Sequence, residues 1–324
     1  MIGITTTVPV EVLFAAGRRP VDLNNIFVAS PEAAAMVAFA ERAGIPSSVC
    51  AWTRGLYGAV HHLGLKEVVG VVSGDCSHTL ALCEILESEG VKIHRFVYPP
   101  SRRAGDLERE LRRFAESLGT TLAAAEAVKP ALDAIRSLAG ELFRLADGGG
   151  VASGDLFAGL LNTSDFFGDP DKCRRKLEAI LVKAKTSPET VRPSVRLVSA
   201  GVPAILSDLW DVFERLGARF VDHETPRQYA LLHGIGRGLT ETYLGYTYPY
   251  DVFSRIEDVR TMAGVRSAVG LVHYVQSFCH RLMHDRLWRE RIHLPILTVE
   301  ADRPGRVDER TSTRMEAFME RLSV

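Results

Sequence analysis

Three cysteines in this chain follow segments that are typical of buried strands or loops and precede segments of helical period. Cys76 comes after the apolar segment 68–73, Cys279 comes after the apolar segment 269–273, and Cys50 ends a loop. Ligands of open parallel sheets lie just outside the carboxyl ends of the strands. The partial positive charge of a helix N-terminus favours the thiolate, which is the form that binds metal. The three cysteines are therefore candidate metal ligands.

Cysteine spacing alone leaves the kind of site open. Cys50 and Cys76 are 26 residues apart and Cys279 follows 203 residues later, a spacing that matches no local ferredoxin or zinc-finger pattern. Dispersed cysteines of an α/β protein are more often buried small apolar residues than ligands. Cys83, inside an apolar helix, fits that interpretation, and Cys173, near a polar helix start, is interpreted as an incidental thiol.

Histidines offer a weaker candidate site. His280 and His284 are four residues apart on a predicted helix and so could share a metal ion. The glutamate that a zinc-protease motif requires does not accompany them. A glycine-rich segment at 234–238 lacks the spacing of a nucleotide-binding loop, and no Walker motif is present in the sequence.

The elements around the cysteines predict an α/β fold. Short β-branched segments alternate with longer segments of helical period in the first and last parts of the chain, which is typical of βαβ units and a parallel sheet. The predicted strands are 68–72, 92–97, 195–198, 218–221, 269–273 and 296–299, with a crossover helix at 79–86 between the first two.

The middle of the chain is predicted to be helical. From 102 to 185 the strand pattern nearly disappears, and Ile135, Leu138, Leu142 and Leu145 form one apolar stripe at helical spacing. Glycines at 148–150 interrupt the helical pattern, and the proline-bracketed segment 188–193 marks the return to sheet structure. The sequence thus predicts an α/β domain at 1–101, a helical connector at 102–190 and a second α/β domain at 191–324.

Composition favours small-molecule chemistry. The chain has 324 residues, 46% of them hydrophobic, and a formal net charge of -1. This is enough apolar material for one large or two medium domains. A nucleic acid or a membrane surface attracts a basic protein, so neither is an expected partner. The start of the chain does not resemble a secretion signal and no apolar run is long enough to span a bilayer, so a cytoplasmic location is expected.

Motifs along nearly the whole chain carry a more specific resemblance. Near the start these are Thr-Val-Pro-Val-Glu at 7–11, Ala-Ala-Gly at 15–17, the cysteine and arginine of 50–54 and the strand-to-cysteine turn ending at 76. Near the end they are the segment 264–279, Leu-Pro-Ile-Leu at 294–297, Glu300, Asp302 and the tail 313–318. With these motifs the chain resembles the 2-hydroxyacyl-CoA dehydratase and benzoyl-CoA reductase family, in particular its D-component type.

The resemblance implies a fold, a cofactor and partners. It implies two Rossmann-like parallel-sheet domains with a [4Fe–4S] cluster in the cleft between them, held by Cys50, Cys76 and Cys279. An ATP-dependent iron–sulfur activator protein would deliver a low-potential electron for reduction of an acyl-CoA thioester. The chain would act as a dimer with itself or with a homologous subunit. Arg54, four residues after Cys50, would be a catalytic residue that stabilises the negative charge of the cluster or a thioester oxygen, and the alternative is an arginine solvated on a helix.

Two other functions stay open at this level. A relative could reduce another small molecule at the same cluster, or the chain could be a non-catalytic electron-relay or structural subunit. The chain looks shorter than typical catalytic subunits of the family. Ser77 and His280 stand where an acidic residue is frequent in relatives. The acyl group, and the choice between dehydration and reduction, are not determined by these residues.

Overall fold

The computed structural model describes residues 1–186 and 195–323. It is an α/β fold with two four-stranded sheets, and all the paired strands run parallel. The first sheet contains β1 (Ile2–Ile4), β2 (Pro20–Asp22), β3 (Glu67–Ser73) and β4 (Lys92–Val97). The second contains β5 (Val195–Gly201), β6 (Ala218–His223), β7 (Gly270–Gln276) and β8 (Ile296–Ala301).

Helices connect the strands and fill the middle of the chain. Those before and within the first sheet are α1 (Val10–Ala15), α2 (Leu23–Ala29), α3 (Ala33–Arg42), α4 (Ala51–His62) and α5 (Ser77–Ser88). The middle contains α6 (Ala104–Ser117), α7 (Leu122–Leu145), α8 (Ser153–Leu161) and α9 (Pro170–Thr186). The last part contains α10 (Leu209–Arg215), α11 (Glu224–Ala230), α12 (Leu239–Gly245), α13 (Val252–Val265), α14 (Asp285–Arg291) and α15 (Glu309–Leu322).

The two sheets have the same strand order. In the first the order is β2-β1-β3-β4, and in the second it is β6-β5-β7-β8. In each sheet the chain adds its second strand on one side of the first and then crosses to the other side for the third. The order therefore reverses between β1 and β3 and between β5 and β7, and the crevice at such a reversal is where open α/β sheets bind ligands.

The strand predictions are largely confirmed. Each predicted strand overlaps one of β3 to β8, and the predicted strand at 92–97 matches β4. β7 begins at Gly270, one residue later than predicted, and covers seven residues, all of them buried. A run that is buried throughout is expected where helices cover both faces of a parallel sheet. β1 and β2 were not predicted, because each has only three residues and gives no usable period.

The helical middle of the chain contacts both halves. α7 begins at a cap in which Thr121 accepts a hydrogen bond from the backbone of Ala124, and it ends just before the predicted glycine interruption. Its apolar stripe packs against α1 and α9, while α8 packs against α11 and β6 of the second half. The domain boundaries stay predictions, and the predicted return to sheet structure at 188–193 lies outside the described residues.

A helix that spans a bilayer needs about 20 predominantly apolar residues. Over 1–186 and 195–323, no helix taken alone is both long and apolar enough to cross a membrane. The pair formed by α2 and α3, which meet at a bend of 115°, reaches that length and apolar content only when both helices are counted together.

Candidate functional site

All three candidate cysteines are the residues that start a helix. Cys50 precedes α4, Cys76 precedes α5, and Cys279 precedes a short 3-10 helix that runs into α14. Cys76 and Cys279 each stand three residues beyond the end of a strand, since β3 ends at Ser73 and β7 ends at Gln276. The predicted strand-to-helix junctions are confirmed, although the helix after Cys279 starts as a 3-10 helix rather than an α-helix.

The turns that carry Cys76 and Cys279 use unusual backbone conformations. Gly74 has φ +95°, and a Cβ atom there would lie 2.6 Å from Cβ of Tyr98 and 3.0 Å from the carbonyl oxygen of Pro249. Only glycine fits a position that combines positive φ with such a close approach. The corresponding turn before Cys279 places Phe278 at φ +62° with its side chain 54% exposed. A non-glycine residue in this region stores backbone strain, and such strain is concentrated at functional sites.

The three cysteines together line one cavity. The lining residues come from the ends of strands in both sheets and from the helices that follow them. Beside Cys50, Cys76 and Cys279 they are Thr5, Thr6, Asn24, Trp52, Thr53, Leu56, Asp75, Thr79, Val202, Pro203, Tyr229, Tyr248, His280 and Arg281. Residues that are far apart in sequence are thus brought together by the fold.

Burial dominates the acidity of these thiols. It raises the pKa of Cys50 and of Cys76 to about 12, and it raises the pKa of Cys279 as well. Negative charge on Cys279 further raises the pKa of the other two, so the three sulfurs are close enough to interact electrostatically. The helix N-termini favour the thiolate as expected, but desolvation has the larger effect on the pKa of these cysteines. A bound metal deprotonates a coordinating thiol regardless of that preference.

Helix N-termini nevertheless contribute at each sulfur. Backbone N–H groups of Trp52, His78 and Arg281, each two residues after a cysteine, oppose the rise in the pKa of that cysteine. None of the three sulfurs accepts a formed cap hydrogen bond. The N–H groups therefore act on the sulfurs through their partial positive charge.

The cavity offers three sulfur donors, which are a usual ligand type of iron–sulfur clusters. Among the residues with described positions, no three or more His, Cys, Asp or Glu side chains are close enough to hold one metal ion. In a [4Fe–4S] cluster each thiolate binds a different iron, so the ligands are spread further apart. The other two cysteines lie elsewhere: Cys83 packs in the core beneath Gly70, and Cys173 lies buried on α9 near the Asn162 carbonyl.

Arg54 does not line the cavity, as far as the described chain extends. Its side chain is fully buried and forms ion pairs with Glu41 of α3 and, at 3.5 Å, with Asp302 beyond β8. The interpretation of Arg54 as a solvated helix residue is therefore wrong. Its catalytic role stays a prediction, and the observed contacts connect α4, which follows Cys50 directly, to the second half of the molecule.

Two oppositely charged side chains that line the cavity lie between the turn of Cys76 and the turn of Cys279. Asp75, beside Cys76, lies 3.9 Å from Arg281, which follows Cys279 by two residues. The Arg281 guanidinium lies 4.1 Å from the ring centre of Tyr248, and Arg255 lies 4.6 Å from the same ring. Burial raises the pKa of Asp75, and Arg281 opposes that rise. Positive charge is thus placed next to two of the three sulfurs.

Sequence reasoning missed most of the lining residues. Thr5 and Thr6 directly follow β1, a strand too short to predict. Asp75 follows a predicted strand, so its position at the carboxyl end of that strand could have indicated a lining residue. Tyr229 and Tyr248 come from helical and loop segments without any motif. His280 lines the cavity and His284 does not appear among its described lining residues, although the two rings lie 6.2 Å apart.

Comparison with known families covers nearly the whole chain. The family model for the 2-hydroxyglutaryl-CoA dehydratase D-component matches residues 5–322, a span that includes all three cavity cysteines. No curated protein matches the chain. Because the match covers nearly the whole chain, the chain belongs to the 2-hydroxyglutaryl-CoA dehydratase D-component family.

Proposed function

We propose that this chain is the iron–sulfur component of a 2-hydroxyacyl-CoA dehydratase or of a related acyl-CoA reductase. Cys50, Cys76 and Cys279 would hold one [4Fe–4S] cluster in the cleft between two Rossmann-like domains. The carrying observation is that these three cysteines, distant in sequence, line one cavity and influence each other's pKa. When bound, such a cluster supplies one-electron chemistry at low potential toward an acyl-CoA thioester.

The residues of this chain would have three tasks. Three thiolates would leave one iron without a cysteine ligand, so that a thioester could approach it. Arg281 and the N–H groups at the three helix starts would offset negative charge in the cavity, and donors of this kind tune cluster potential. The buried apolar walls formed by Trp52 and Leu56 would limit access of water to the reacting groups.

The family and the resemblance support the proposed partners. An ATP-dependent iron–sulfur activator protein would deliver the electron, and the chain would pair with a homologous subunit or with a second copy of itself. We propose a cytoplasmic location for this assembly. For Arg54, the ion pairs with Glu41 and Asp302 support a role in positioning α4 and Cys50, and direct contact with the thioester stays the second possibility.

Iron and acid-labile sulfide content of the anaerobically purified protein tests the proposal. About four irons per chain are expected, as one [4Fe–4S] cluster requires. Iron should be lost in Cys50→Ala, Cys76→Ala and Cys279→Ala. Cys83→Ala and Cys173→Ala are matched controls, because both cysteines are buried outside the cavity and should leave the iron content unchanged. Protein that stays iron-free after anaerobic reconstitution would overturn the cluster assignment.

A further inference from the structure

Asp22 and Asp165 form a buried pair of carboxyl groups that joins the first sheet to the helical middle of the chain. Asp22 ends β2 and is fully buried, and Asp165, beyond the end of α8, is 5% exposed. The backbone N–H of Asp22 donates to Oδ2 of Asp165 at 2.7 Å. No cation among the described residues forms an ion pair with either carboxyl group. Two ionised carboxylates without a cation are costly to bury side by side, so such a pair retains a proton.

The hydrogen bonds indicate which carboxyl group keeps that proton. Asp22 accepts from the Ser164 hydroxyl at 2.5 Å, and from the backbone N–H and the side-chain amide of Asn24 at 2.9 and 2.7 Å. Asp165 accepts from the backbone N–H groups of Asp22 and Phe167. Donors stabilise the charged form, so Asp22 is the ionised member. Burial raises the pKa of both groups, and the charge of Asp22 further raises that of Asp165, to about 7.

The segment that follows Asp165 has a strained backbone. All three residues of 166–168 have positive φ, between +53° and +60°, and two of them are phenylalanines. Such conformations persist only where the surroundings hold them. A Cβ atom at Gly168 would lie 2.6 Å from the Pro20 carbonyl oxygen, so the segment lies directly against β2. Oδ1 of Asp165 bonds the N–H of Phe167 while Oδ2 bonds the end of β2. One carboxyl group thus holds both sides of this contact.

Other charged or titratable groups surround the pair without bonding to it. Asp165 lines a cavity at the edge of the first sheet, through which solvent can reach its proton. The charged or titratable residues that line this cavity beside it are Met1 at the N-terminus, Arg19, His62 and Lys172. Those that face the segment or the pair from other elements are Lys176 over the Phe167 ring, Arg136 over the Phe166 ring, the buried Cys173 thiol and Asp75. Arg136 is already paired with Glu11 and Asp133.

We propose that Asp22 and Asp165 share one proton and form a pH-dependent latch that holds the segment 164–168 on the first sheet. With the proton on Asp165, both contacts of its carboxyl group persist. Loss of the proton to solvent leaves two like charges side by side, and the segment is released from β2. Asn24, which bonds Asp22, lines the cysteine cavity, so the latch lies one hydrogen bond away from that cavity. The inference goes beyond the proposed function and does not depend on a bound cluster.

Hydrogen exchange of the Asp22 and Phe167 amides, the two that bond Asp165, tests the inference on the purified full chain. The open segment has the ordinary aspartate pKa and loses its proton at lower pH than the closed segment, so rising pH favours opening. After correction for intrinsic exchange, the opening constant of wild type should rise about tenfold between about pH 5 and pH 6. It should become constant above about pH 7, the pKa of Asp165 in the closed segment.

Variants and infrared spectra complete the test. Asp165→Asn keeps an acceptor oxygen but cannot ionise, so its opening constant should be nearly independent of pH. Asp171→Asn, which removes an exposed carboxylate at the start of α9, should keep the wild-type rise. Wild type at about pH 6 should show a protonated-carboxyl band that Asp165→Asn lacks. A pH-dependent rise that persists in Asp165→Asn would overturn the inference, and so would a wild-type spectrum without that band.

Discussion

At the scale of single residues, burial and helix N-termini act in opposite directions on the cavity thiols. The N–H groups after Cys50 and Cys76 favour the thiolate, yet burial raises the pKa of both cysteines to about 12. The metal-free cavity therefore favours neutral thiols, and binding of iron would release protons. The sequence predicts where these cysteines stand but not how deeply they are buried, because burial depends on packing from both halves of the molecule.

A buried histidine gives the molecule a predictable response to acid. His223 is fully buried, with its Nδ1 2.7 Å from the Ser199 hydroxyl and its Nε2 3.0 Å from the Ser153 carbonyl oxygen. The rings of Phe157 and Trp210 pack around it. Burial lowers its pKa to about 3. Among the residues described, no acidic side chain bonds to His223, so no negative charge stabilises its protonated form.

The free energy of unfolding should therefore fall as the solution becomes more acidic. The unfolded chain binds a proton below the ordinary histidine pKa and the folded chain does not, so stability is fully present above about pH 6.5 and is lost toward pH 3. Between about pH 6 and pH 5, wild type should lose about 1 kcal/mol more than His223→Gln. Urea unfolding at both pH values measures this difference. Equal losses in the two proteins would show that His223 does not titrate as its surroundings predict.

At the scale of elements, the two sheets place one cysteine each by the same topology. Cys76 and Cys279 follow the strands, β3 and β7, at which the strand order reverses. These strands were predictable because they are runs of apolar, β-branched residues long enough to stand out from their surroundings. β1 was not predictable, and the cavity-lining residues that follow it, including Thr5, were therefore not predicted. Asn24 was missed for the same reason, since it follows the short strand β2.

A buried ion pair next to Tyr248 connects α13 to α11. Arg255 of α13 donates to both carboxylate oxygens of Glu224 at 2.7 Å, and both side chains are almost fully buried. The same guanidinium donates to the carbonyl oxygen of Gly201 at the end of β5. Removal of one partner of such a pair leaves an uncompensated buried charge, and this costs far more than loss of an exposed pair.

Arg255→Met should lower the free energy of unfolding by about 3 to 5 kcal/mol. Arg260→Met, on the same helix, removes an exposed pair with Glu257 and should leave the free energy of unfolding almost unchanged. Glu224→Gln combined with Arg255→Met should recover part of the loss, because the carboxylate is neutralised. Urea unfolding of the four proteins measures these values. Arg255 and Arg260 variants of equal stability would contradict a stabilising role for the buried pair.

At the scale of the whole molecule, the cysteines belong to parts of the chain that meet only through tertiary packing. Cys50 and Cys76 precede the helical middle, and Cys279 follows it. A second contact between these parts is the buried pair of Glu11 and Arg136, 2.7 Å apart, with Tyr243 donating to the same carboxylate at 2.9 Å. Helical periodicity predicts α7, but no local pattern predicts that its Arg136 pairs with Glu11. The positions of the cysteines at the starts of predicted helices indicated that they could converge, and the family resemblance implied a shared cluster.

A cluster bound by all three cysteines would link the stabilities of both halves. A ligand that binds only the folded state raises the free energy of unfolding. The increase is about 4 kcal/mol when the free ligand concentration is a thousand times the Kd. Removal of the iron with a chelator should therefore lower the Tm of the wild-type protein by several degrees. Removal of the iron should also increase the rate of backbone hydrogen exchange at the turn of Cys76 and at the turn of Cys279 alike. In Cys279→Ser, which would lack the cluster from the start, the chelator should change neither quantity. A chelator effect confined to the Cys76 turn would mean that the second half takes no part in holding the iron.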